Sequence, residues 1–60
     1  MWTGPVTEEL KELYLAYKDK FDGEWPDGYD DVHYEGMTYD EFVGYIKKSL
    51  ETGLPLEEVV

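Results

Sequence analysis

The chain has sixty residues with five Lys, no Arg, fifteen acids and no Cys, for a formal net charge of −10. That length makes one small domain, residues 1–60, expected to bury only about 60% of the surface its unfolded chain exposes. The charge repels nucleic acid and anionic lipid at long range, and without Arg there are no guanidinium groups to clamp phosphate, so direct DNA, RNA or membrane-surface binding is excluded.

Without Cys there is no disulfide or thiolate metal site, and stability must come from apolar packing. Aromatic residues, 17% of the chain, carry much of that area. The start, MWTGPVTEEL, has no basic region followed by an apolar run and does not read as a signal peptide. No stretch approaches membrane-spanning length, so a cytoplasmic location is expected.

Met1 to Val6 is a lead-in broken by Gly4 and Pro5, with Trp2 expected against the core. Thr7 is a plausible N-cap, and Glu8 and Glu9 favour the positive end of a helix dipole. Leu10, Leu13, Tyr14, Tyr17 and Phe21 then follow helical spacing, predicting a first helix of about Glu8 to Phe21 closed by Asp22-Gly23. Leu15 lies about 140° from Leu10 on the polar side, either as a single exposed Leu or as a contact with another chain or with the tail.

Glu24 to Gly36, EWPDGYDDVHYEG, is too long for a tight turn. Pro26 and Asp27-Gly28 are turn signals, while Trp25, Tyr29 and Tyr34 predict an ordered loop laid over the helices. Val32 to Glu35 alternates apolar and polar residues, so a short extended piece pairing with Met1 to Thr3 is the alternative there.

Met37 to Gly53 reads as a complete second helix, about Tyr39 to Thr52. Thr38 and Glu41 form a capping box, Met37 and Phe42 a hydrophobic staple, and Gly53 a left-handed stop. Tyr39, Phe42, Val43, Ile46 and Leu50 make its apolar face. Gly44 lies away from that face, where drift, a close approach by the tail or a flat spot for a partner would each account for it. Leu54 is expected to pack back on the last turn, and LPLEEVV to form one helical turn or to run extended.

The sharpest pattern is charge segregation. Between Lys20 and Lys47 stand Asp22, Glu24, Asp27, Asp30, Asp31, Glu35, Asp40 and Glu41 with no basic residue, interleaved with Trp25, Tyr29, Tyr34, Tyr39 and Tyr45. This surface could receive a basic protein surface through Trp25, Tyr29, Asp30, Asp31, Tyr34 and Glu35, the aromatics anchoring and the carboxylates steering. The competing reading is a solvated acidic loop with its aromatics turned inward. A nucleic-acid mimic, blocking a basic DNA-binding enzyme in the manner of anti-restriction or anti-CRISPR proteins, is an alternative.

Metal and enzyme chemistry fit poorly. Aligned as a calcium-binding loop from Asp31, Gly36 takes the sixth position, but the twelfth is Phe42 and Glu41 is one residue early and used by the cap. His33, the only His, has no Ser or Cys arranged as a triad, and there is no glycine-rich phosphate loop. No catalytic residue, cofactor or metal ligand is assigned.

From ELYLAYKDKFDGEWPDGYDDVHYEG through MTYDEFVGYIKKSLETGLPLEEVV the chain resembles short acidic uncharacterised bacterial or phage proteins. In these a Tyr-rich helix ends in an FGE(aromatic)P-like turn, and a PxGY-like loop leads to a YDEF…IKKxLETG-like helix. Asp22 between Phe21 and Gly23 departs from that pattern. The resemblance implies no activity and no site residues; it favours a natural sequence over a designed one.

The expected fold is mainly α, an antiparallel two-helix hairpin with an ordered aromatic-rich connecting loop; a small α+β domain with a two-stranded element is the alternative. The expected function is that of a small non-enzymatic acidic protein-interaction domain, monomeric or weakly self-associating. A divalent-metal module is the remote third reading.

Overall fold

The computed structural model describes residues 1–60 and contains three α-helices and no strand: α1, Glu8–Lys20; α2, Tyr39–Thr52; and α3, Leu56–Val59. A short 3-10 helix, Tyr34–Gly36, precedes α2. The extended piece held as an alternative for Val32 to Glu35 does not form; the chain coils there, and the two-stranded alternative is not supported. The alternation of that segment still has a counterpart, because Val32 and Tyr34 are buried while His33 and Glu35 are exposed.

Local signals account for the helix boundaries. The Thr7 hydroxyl accepts from the Leu10 N–H at 3.2 Å and starts α1. At its other end Asp22 and Gly23 take positive φ values of 56° and 88°, and the Gly23 N–H returns to the Lys18 carbonyl at 2.8 Å. In α2 the Thr38 hydroxyl accepts from Glu41 N–H at 3.1 Å, and the Glu41 carboxylate accepts from Thr38 N–H at 2.9 Å. This capping box satisfies two orphan donors at once. Gly53 closes α2 at φ 79°, a left-handed conformation that costs a Cβ-bearing residue strain.

The two long helices run in the same sense. Tyr39, opening α2, places its hydroxyl on Thr7 Oγ1 and on Glu9 of the first turn of α1, the latter at 3.3 Å. At the opposite end, a Cβ on Gly53 would lie 3.9 Å from the Lys20 side chain. Like ends are together, which corrects the antiparallel arrangement expected from the sequence. The physical cause is the connector: residues 21–38 are long enough to run back along a 13-residue helix of about 20 Å, so the chain need not reverse.

The core lies between these elements. Leu10 and Tyr17 of α1 meet Phe42, Val43 and Ile46 of α2 and Leu56 of α3, and Trp2, Val32 and Tyr34 close the edges. Full burial of each such side chain contributes about 1.5–3 kcal/mol. Trp2 stacks on Phe42 with ring centres 4.5 Å apart, and its Nε1–H donates to the Pro5 carbonyl at 3.1 Å. Gly4 permits this fold-back, since a Cβ there would come within 2.4 Å of the indole. Leu54 does not pack back on α2; it is 48% exposed, and Leu56 is the tail residue that enters the core. Gly53 has already ended α2, and Pro55, extended at φ −64° and ψ 161°, starts α3, so the apolar position that returns to the core falls two residues later.

Candidate functional site

Two turns shape the loop that feeds the 3-10 helix. Pro26 and Asp27 are the central residues of a turn closed by Gly28 N–H on the Trp25 carbonyl at 3.2 Å, a position for which proline's fixed φ is suited. Asp30 and Asp31 occupy the centre of a second, closed by Val32 N–H on the Tyr29 carbonyl at 3.4 Å. Both aspartates and Glu35 are exposed.

The three aromatic candidates separate. Trp25 is 42% exposed and leans on Tyr14, ring centres 6.1 Å apart, with the Lys18 ammonium 5.1 Å from its ring centre. Tyr29 is half-buried against Tyr17. Tyr34 is 1% exposed, packs edge-on against Phe42, donates its hydroxyl proton to the Pro26 carbonyl at 2.7 Å and accepts from Tyr29 N–H at 3.2 Å. It is a pillar of the loop and cannot contact a partner directly.

Tyr29 takes part in a directed chain of hydrogen bonds. The Leu56 N–H donates to the Tyr17 hydroxyl at 2.9 Å, the Tyr17 and Tyr29 hydroxyls are 2.6 Å apart, and Tyr29 donates to Glu24 at 2.9 Å. An ionised carboxylate only accepts, so the Tyr29 proton lies toward Glu24 and the Tyr17 proton toward Tyr29. Burial, then the bonds to Tyr17 and Glu24, hold the Tyr29 phenol far above its ordinary pKa. The Tyr14 phenol is raised first by burial and then by the Asp27 carboxylate, and Tyr34 is raised chiefly by burial. These phenols stay protonated at neutral pH, as donors and not as acids.

The carboxylates between Lys20 and Lys47 have no cationic partner. The two ion pairs, Lys11 with Glu8 and Lys47 with Glu9, involve none of the eight acids between Lys20 and Lys47. The structure adds Glu57, which the sequence reading left out. The α3 turn brings it beside Asp31, and its carboxyl pKa is raised by lost hydration, then by Asp31 and Glu58. Reading Pro55 as the start of a turn with Leu56 inward would have placed Glu57 on the outside near the loop. No group of three or more His, Cys, Asp or Glu side chains converges as a metal set. A shallow groove of about 290 Å³ lies at the edge of this surface, lined by Lys11, Tyr14, Leu15 and Trp25.

No helix is long and apolar enough to cross a membrane. Compared with protein-family models, curated proteins and solved structures, the chain matches none.

Proposed function

We propose that this chain is a small non-enzymatic interaction domain whose acidic loop and α3 receive a basic protein surface. The observation that carries this reading is the set of loop carboxylates left without cations, joined by Glu57 at Asp31. Like charges held together are unfavourable in the isolated protein, and a cationic partner relieves that repulsion on binding. Asp30, Asp31, Glu35 and Glu57 steer and pair, while Trp25 supplies an exposed aromatic at the rim.

Binding to an immobilised basic nuclease, measured from about 50 to 300 mM salt, tests the reading. Affinity should fall as salt rises, and the variant combining Asp30→Asn, Asp31→Asn and Glu57→Gln should lose about tenfold or more. Salt-independent binding, or an unchanged variant, would reject it. The close Asp31 and Glu57 carboxylates also favour a second reading, mimicry of nucleic-acid phosphates in a basic enzyme's groove. That version requires competition with duplex DNA; the first does not.

A further inference from the structure

The outer face of α1 carries a charge pattern unlike the rest of the molecule. Leu15 stands at its centre, 61% exposed. At about 100° per residue, Lys11 and Lys18 fall about 40° and 60° to one side of Leu15, and Asp19 and Glu12 about 40° and 60° to the other. All four are exposed. With Glu8, about 20° from Leu15 and 3.5 Å from the Lys11 ammonium, the stripe carries two cations and three anions, a net charge of −1 in a chain of −10. Trp25 borders the lysine edge, under Lys18, and closes the groove with Lys11, Tyr14 and Leu15.

We infer that this face pairs with a second copy of the chain through a parallel α1–α1 contact centred on Leu15. A twofold axis along the helices carries the lysine edge of one copy onto the acidic edge of the other. Lys11 then lies beside Glu12 of the second copy and Lys18 beside Asp19 of the second copy, each pair about 1.5 Å apart in height along the helix, and symmetry repeats both. The antiparallel alternative sets Lys11 beside Lys18 and Glu12 beside Asp19, so like charges meet. At the dyad the two Leu15 side chains touch, and the groove beside Trp25 admits Leu15 and Ala16 of the second copy. Ala16 is exposed and small enough to allow that approach. Asp22 lines the same face as Leu15, Lys18 and Asp19, and Asp27 lies beside Tyr14, so these acids oppose association; at about 0.15 M salt a Debye length of about 8 Å screens the more distant loop acids while contact pairs persist. One helical face is a small interface, so association is weak and concentration-dependent.

Sedimentation equilibrium of the full chain from about 10 μM to 1 mM, with circular dichroism to verify folding, tests this. The average mass should rise toward the dimer with concentration, and Leu15→Glu should remain monomeric while keeping its helicity. Lys11→Glu and Glu12→Lys should each weaken the dimer by about fivefold, and the double variant Lys11→Glu/Glu12→Lys, whose net charge is that of the parent, should restore it. A parent that stays monomeric throughout overturns the inference. So does a Lys11→Glu variant that dimerises more tightly, since that is the signature of the antiparallel pairing, or a double variant that fails to recover. The substituted residues Lys11, Glu12 and Leu15 lie outside the loop surface proposed for a basic partner, which shares only Trp25 with this contact, so either idea can fail alone.

Discussion

The Tyr34 hydroxyl makes two bonds in the interior, donating to the Pro26 carbonyl and accepting from Tyr29 N–H. Phe at this position leaves both backbone groups without partners, and a buried orphan costs about 1–3 kcal/mol. Tyr34→Phe should therefore lower stability by about 2 kcal/mol, seen as a lower urea midpoint at an unchanged slope. Trp25 and Tyr34 had the same standing as sequence features, aromatics in an acidic loop, yet one is exposed and the other is buried. Nothing in residue type distinguishes them. Position does, because Val32 and Tyr34 stand two apart and share a side, and that much of the alternation was legible although the backbone coils instead of extending. Tyr29 became a relay and not a free anchor because its hydroxyl meets Tyr17, a residue twelve positions away that no local pattern links to it.

The helices were the most legible elements, since their signals are local. The capping box and Gly53 bound α2 at Tyr39 and Thr52 as expected, and α1 stops at Lys20, one residue before the expected end, with Phe21 as its cap. Their relative sense was not legible, because it depends on how the connector from Phe21 to Thr38 runs, and both senses leave each apolar face covered. Gly44 provides a test at this scale. A Cβ there meets nothing within 4 Å, which removes the idea that the tail approaches it. Ala favours the helical backbone by about 1 kcal/mol over Gly, so Gly44→Ala should stabilise the protein by about that amount in thermal or chemical unfolding. The same substitution should leave binding to a basic protein unchanged, as α2's exposed middle lies outside the loop surface.

For the molecule as a whole, the pH response follows from the buried phenols. Tyr14, Tyr29 and Tyr34 all have folded pKa values above the unfolded value of about 10. A raised value means that the protonated form is favoured by folding, so this contribution is complete below about pH 10 and is lost as pH rises beyond it. Melting temperature should hold steady between about pH 7 and 9 and fall above about pH 10, with Tyr29→Phe making the fall shallower. A parent that keeps its melting temperature well past that point would contradict the assignment of these phenols. The shared direction of α1 and α2 also bears on how quickly the chain can reach this state. In an antiparallel hairpin the first tertiary contacts form next to the turn, between near neighbours in sequence. Here the bonds that join the elements span 30, 32 and 39 residues of a sixty-residue chain. Helices of 13 and 14 residues are marginal in isolation, so they depend on docking, and docking must wait for closure of a large loop. The folding rate is thus governed by chain entropy over most of the molecule's length, slower than helix content alone would imply.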